Sequence, residues 1–313
     1  MLTLFRRSTP EVFLKNFAVW DTDTSHVSRV ISRDGIQETC TKVSDIPRVV
    51  SSLDSLEMWS CDTQLNYLSR PCTKVHDPVR EIISYSILSR VVPSIRTELF
   101  TTLISWNLVE SSAKLEITMR LAKFGNMEEH YHMDKAPDKG LFDNVLVGSR
   151  QERLSVGIRL LFGVYALNYI ADIANNDLNP RNVLLDITCF EYAQIQYLSE
   201  EGELRMMVLP TYGIKPIICD FGMATRNSST FREIDDFEDV LMTLENTIPA
   251  WKGIPVKTHR STVLSVCERL HRQLLELDSQ CTAAATQANM CVLDLTGAVD
   301  VSVQANDNGC ILC

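Results

Sequence analysis

Short apolar runs broken by polar residues fill the chain up to Leu121, and longer apolar blocks follow. Residues 1–45 are mixed and polar with no clear period, and are expected to form an N-terminal extension. "PRVVSSLDSLEMW" and "TQLNYLSRPCTKV" read as two short strands joined by a polar turn. "PVREIISYSILSRVV" reads as a helix. Pro78 suits its first turn, and Ile82, Tyr85 and Leu88 mark one face. "TTLISWNLV" and "AKLEITMRL" are β-branched runs separated by "ESSA", the pattern of a hairpin. Residues 46–122 thus predict a small, mostly β unit with one helix.

Beyond Leu121, "FGNMEEHYHM" opens a short helix and "MDKAPDKGLFDN" is a polar loop. Residues 151–174 are apolar on nearly every helical face, which predicts a buried helix. "FEYAQIQYL" and "LRMMVLP" flank "SEEGE" and predict a hairpin excursion over about 187–213. "IKPIICDFG" predicts a strand ending in a turn, and "REIDDFEDVLMTLEN" and "STVLSVCERLHRQLLELDSQ" predict helices. The second unit is expected over 123–280. The tail, 281–313, is small, polar and acidic, and is expected to be loosely held. "CTKV" occurs twice, at Cys40 and Cys72, without the third copy that a repeat array needs.

Composition narrows the function classes. The 313 residues suffice for one large domain or two units with real cores. A net charge of −10 argues against a nucleic-acid partner, because phosphate contacts need clustered Lys and Arg. The ten cysteines are scattered and form no pair of CxxC knuckles, which argues against a structural zinc site. His130 and His132 could pair on a metal, but no third ligand is placed beside them. The start has early charges and no unbroken apolar core, so an intracellular, reducing setting and a monomer are expected. The longest apolar stretch, Leu160 to Ile170, is too short to span a bilayer. The terminal "CILC" resembles a prenylation box, so membrane contact is expected only if Cys310 is lipidated.

Two polar motifs carry the candidate chemistry. "NNDLNPRNVLLD" sets Asp177 five residues before Asn182, directly ahead of an apolar strand, and "CDFG" sets Asp220 at the end of another. Phosphoryl transfer needs one carboxylate to accept or orient a hydroxyl proton, and hard oxygen ligands to hold Mg2+. Asp177 suits the first task, and Asn182 with Asp220 the second.

In this order the pair resembles the catalytic loop and DFG motif of the eukaryotic-type protein kinases. The resemblance covers roughly residues 48–275. It implies an α+β, bilobal fold with a small β-rich N-lobe and a helical C-lobe truncated at its C-terminus. It also implies ATP and Mg2+ as cofactors and a protein substrate phosphorylated on Ser or Thr.

Residue by residue, the resemblance makes Lys74 the phosphate ligand, held by Glu81 on the following helix. Lys42, in the first "CTKV", is its rival, but lacks the adjacent helix. "REIISYSILSRVVPSI" is similar to the C-helix of the casein kinase 1 group. Met119 falls 45 residues after Lys74 and becomes the gatekeeper, with Arg120 and Leu121 opening an adenine-binding hinge. Asn179 joins Asp177 in the catalytic loop, where the family has a lysine. Asp235 or Asp236 would brace that loop.

The departures are as specific. "SSLDSLEMWSCD", the expected phosphate loop before Lys74, has no glycine, though glycines let backbone amides approach phosphates. Asn175-Asn176 replaces the usual His-Arg. Asp220 falls 38 residues after Asn182, a longer separation than ordinary kinases have, and the segment after Gly222 is very short, with no A-P-E. Such compact kinases look most like those of large DNA viruses. Two other readings fit the motifs: a pseudokinase acting as a binding scaffold, and a small-molecule kinase of the aminoglycoside type.

Overall fold

A computed structural model of the chain describes residues 17–21, 25–31, 38–45, 59–71, 76–91, 96–109, 114–120, 122, 124–131, 149–199, 201–227, 236–237, 240, 260–277 and 289–296. Helices and strands are mixed, with a strand-rich first part. Its sheet runs β1 (Phe17–Asp21), β2 (Ser25–Ile31), β3 (Glu38–Asp45), β5 (Lys114–Arg120), β4 (Leu103–Val109), all antiparallel. On the two central strands alternate residues point inward. Cys40, Lys42 and Ser44 of β3 lie opposite Met119, Ile117 and Leu115 of β5, and all six are buried. A lysine on the inward face of a sheet must find anionic partners, and Lys42 does.

This arrangement corrects two expectations. Residues 17–45, expected as an extension, supply three of the five strands. Of the two strands expected before the helix, the first lies outside the described residues and the second is overturned. Cys61–Leu68 form a helix, α1, whose N-terminus is capped by Ser60 accepting from the Thr63 amide at 3.2 Å. Leu65 and Leu68 are buried one turn apart, a helical spacing that a short apolar run does not betray.

The second helix forms as expected. In α2 (Pro78–Val91), Pro78 occupies the first turn and Asp77 Oδ1 accepts from the Val79 amide at 2.9 Å. Every residue from Pro78 to Leu88 is buried. The expected β4–β5 hairpin forms too. Of two single-turn helices, α3 (Arg96–Leu99) lies between α2 and β4, and α4 (Met127–His130) follows β5.

The second part is built on α5 (Arg150–Tyr165), capped by Ser149 and buried from Arg153 to Tyr165. A π turn, Ala166–Ile170, widens its last turn just before the Asp177 loop. Three small sheets surround it. The strand β6 (Ile173–Ala174) pairs with β11 (Thr225–Arg226), and β7 (Val183–Ile187) with β10 (Ile214–Ile218). The expected excursion is the hairpin β8 (Tyr192–Leu198) and β9 (Leu204–Pro210). Packed on α5 is a further helix, α6 (Arg260–Leu277).

The tail reading is corrected in part. Residues Met290–Asp294 form β12, which adds to β8 in parallel and completes the order β12-β8-β9. Cys291 and Leu293 point inward on alternate positions, and Leu295 is buried just beyond. A five-residue strand is too short to stand out in a polar tail. Among the described residues, no helix is long and apolar enough to cross a membrane.

Candidate active site

The Asp177 loop is shaped from beneath. Asp236, fully buried, accepts from the backbone amides of Asn175 and Asn176, each at 2.7 Å, and from Asn168 Nδ2 at 2.9 Å. Asn176 sits at φ 63°, a left-handed conformation that Asn tolerates better than most residues. These bonds turn the chain so that Asp177 leaves the core. Asp235, the other candidate brace, lies outside the described residues.

The side chains of Asn175 and Asn176 reach forward. Asn175 Nδ2 donates to the carbonyl of Asp220 at 3.1 Å. Asn176 Nδ2 donates to the carbonyl of Met223 and to Thr225 Oγ1, both at 2.9 Å. Two neutral amides thereby fasten the chain on either side of Phe221 and Gly222.

Asp177 is clasped by its own loop. Its Oδ1 accepts from Asn179 Nδ2 at 3.0 Å, and its Oδ2 from Asn182 Nδ2 at 2.9 Å. Asn179 also caps the 3-10 turn Pro180–Asn182, accepting from the Arg181 amide at 3.0 Å. Burial raises the Asp177 pKa above the usual carboxylate value, and the nearby Asp220 charge adds to this. The bonds from Asn179 and Asn182 work the other way.

The β7–β10 ribbon carries Asn182 and Asp220 to the same end. Ile218 faces Val183, and the Cys219 amide donates to the Asn182 carbonyl at 3.0 Å. Asn182 uses its amide nitrogen on Asp177, so its Oδ1 is the atom it can offer a cation. Asp220 stands at φ 58°, an uncommon conformation that the surrounding bonds hold.

Lys42 is the centre of the charged cluster. Its Nζ lies 2.9 Å from Asp220 Oδ1 and 3.2 Å from Glu81 Oε2. His76 Nε2 lies 2.7 Å from the same nitrogen, 2.9 Å from Glu81 Oε2 and 3.2 Å from Asp220 Oδ1. Burial disfavours the Lys42 charge, but Glu81 and Asp220 outweigh it and hold the ammonium well above its ordinary pKa. Burial likewise opposes the Asp220 charge, and Lys42 overrides it, so that carboxyl stays far below the usual range. For His76 burial works against protonation, while bonds to Asp220 and Glu81 raise it to about 9. These contacts all use Oδ1 of Asp220 and leave Oδ2 outside them.

His76, Glu81 and Asp220 could by spacing hold a metal, but the Lys42 ammonium sits among them and serves as their cation. Hard oxygens suited to Mg2+ are offered instead by Asn182 Oδ1 and Asp220 Oδ2.

The lysine that meets Glu81 is therefore Lys42 and not the expected Lys74, which lies outside the described residues. Spacing along the chain favoured the copy of "CTKV" nearest the helix. The sheet brings in the earlier one, because β3 is central and Lys42 points inward. Glu81, Asp177, Asn179, Asn182 and Asp220 come together as residues of one region. Met119 is buried, and its Sδ accepts from Tyr85 OH at 3.3 Å, while Tyr85 OH also reaches Glu81 Oε1 at 3.4 Å. Arg120 ends β5 with an exposed side chain, and its amide donates to Thr102 O at 3.1 Å. Leu121 lies outside the described residues. His76 escaped the sequence reading. Its one signal is its place directly before the Asp-Pro that starts α2.

No family model matches the sequence, and no curated protein matches it. Among solved structures the chain is similar to the kinase PK-1 of Cydia pomonella granulovirus, at 12% identity and a TM-score of 0.37. The likeness covers 68% of this chain and 54% of that one, so the chain spans about half the length of the protein it matches.

Proposed function

We infer that the chain is a bilobal, protein-kinase-like phosphotransferase that moves the γ-phosphoryl group of Mg-ATP to Ser or Thr hydroxyls of a protein. One observation carries this reading. Lys42, on the third strand of the sheet, pairs at once with Glu81 of the following long helix and with Asp220 after β10. The family's site needs this lysine–glutamate pair and this aspartate in place together.

The roles follow from the chemistry. Asp177 orients the attacking hydroxyl and takes its proton, and its raised pKa suits a base. Asn182 Oδ1 and Asp220 Oδ2 would hold Mg2+, which neutralises charge on the transferred group when bound. Lys42 gives its ammonium to the phosphates, and Glu81 keeps it aimed. Asn179 holds Asp177 Oδ1. Met119 and Arg120 are assigned to the adenine end.

Transfer of radiolabel from ATP to a generic protein panel tests this, wild type beside Asp177→Ala. Label transfer that vanishes in the variant is expected. An inactive wild type, or a fully active variant, overturns the reading.

A second reading is a scaffold that does not turn over ATP. The three residues joining β1 to β2, Thr22, Asp23 and Thr24, include no glycine, and Asp220 Oδ1 is already engaged by Lys42 and His76. Thermal shift with Mg-ATP separates the two, since a catalyst must be stabilised by its nucleotide.

A further inference from the structure

The N-terminal end of α2 is fastened to the chain after β10 at three successive points. His76 Nε2 meets Asp220 Oδ1 at 3.2 Å, the Asp77 amide donates to the Gly222 carbonyl at 2.8 Å, and Arg80 Nη1 donates to the Ala224 carbonyl at 2.7 Å. The first of these is unlike the others. His76 also meets Glu81 Oε2 at 2.9 Å, so one ring nitrogen touches both carboxylates that hold Lys42.

The ring has a fitted seat. A Cβ on residue 222 would lie 1.9 Å from His76 Cδ2 and 2.2 Å from Nε2, so only glycine leaves room for the imidazole. Gly222 is not in the left-handed region, so backbone conformation does not demand glycine there. The demand comes from His76.

We propose that His76 is a positioning residue that locks α2 to the Asp220–Gly222 turn, holding Glu81 and Asp220 on Lys42 without an added phosphate or partner. This rests on the kinase-like reading for its consequence, but not for its geometry. Lys42 also bridges the two carboxylates, but its flexible four-carbon stem by itself sets their separation loosely. A planar ring wedged against Gly222 sets it rigidly.

The test uses His76→Ala, His76→Gln, Gly222→Ala and the double variant of His76→Ala with Gly222→Ala. His76→Ala should weaken Mg-dependent nucleotide binding and turnover by about 10- to 100-fold, the usual range for residues that orient a site's ligands. His76→Gln keeps an N–H donor at the same reach and should restore most of the loss. Gly222→Ala should be far more harmful with His76 present than in the His76→Ala background, since only the ring makes the clash. Equal effects of Gly222→Ala in both backgrounds would overturn the fitted seat.

Hydrogen exchange of residues 219–227 reads the lock without activity. Exchange there should quicken in His76→Ala, and unchanged exchange overturns the lock whether or not the wild type transfers phosphate. Quickened exchange beside a wild type that binds no Mg-nucleotide overturns the kinase reading and leaves the lock standing.

Discussion

Lys42 and Glu81 lie 39 residues apart in sequence and meet at 3.2 Å, both almost fully buried. The pair joins the third strand of the sheet to α2. Its consequence is a choice between two lysines in identical "CTKV" settings. Lys42→Met should lower phosphoryl transfer by about 100-fold or more, as loss of a preorganised charge in a buried site does. Lys74→Met should change little. Steady-state kinetics on the two variants decide, and an equal or greater loss at Lys74 would count against the assignment.

Asp236 predicts a structural cost. Its removal strands the Asn175 and Asn176 amides in the core and leaves Asn168 Nδ2 its bond to the Ile173 carbonyl. Each stranded donor costs about 1–3 kcal/mol, so Asp236→Ala should destabilise by roughly 2 kcal/mol or more. Denaturant unfolding measures it, and a midpoint equal to wild type would refute the bracing role.

Activity should not require phosphorylation after Gly222. Thr225 is fully buried and its Oγ1 already accepts from Asn176, so it is a poor acceptor for a kinase. The position that would bind an activating phosphate through a bidentate cation holds the neutral Asn176. The variant with Ser228, Ser229 and Thr230 all changed to Ala should therefore keep wild-type transfer. Its inactivity, with rescue by Glu at one position, would show that another cation serves there.

His271 on α6 sets an acid limit to stability. Burial lowers its pKa from the ordinary 6.5, and its bond to the Val208 carbonyl, 3.0 Å away, opposes that. As pH falls below about 6.5 the unfolded chain takes up a proton that the folded chain resists, so stability is lost on the acid side and levels off above it. His271→Gln should flatten this slope. Urea midpoints at about pH 5 and about pH 7.5 would show it, and an unchanged slope would exclude His271 as its source.

Removal of residues 289–313 should weaken the second part. It strips β12 from β8, losing the buried Leu293 and Leu295, each worth about 1.5–3 kcal/mol. It also opens the β8 edge to pairing with other chains. A lower melting temperature and larger species in size-exclusion chromatography are expected. An unchanged melt would mean that β12 adds nothing to the fold.

Elements whose signal is local were legible in the sequence. The β4–β5 and β8–β9 hairpins, α2, α5, α6 and β10 each carry their periodicity and their stops within a few residues. The Asp177 loop and the Asp220 turn were legible for the same reason, since each is a short polar motif against an apolar strand. Tertiary structure decided the rest. β1, β2 and β3 carry no clear period of their own and are strands through pairing, each with the next and β3 with the distant β5. β12 is a strand only because β8 offers an edge. Which lysine meets Glu81, and that His76 sits between Glu81 and Asp220, depend on contacts spanning 39 and 178 residues of chain around Lys42. Charge pairing in a buried site is set by distance in space, and local pattern does not encode it.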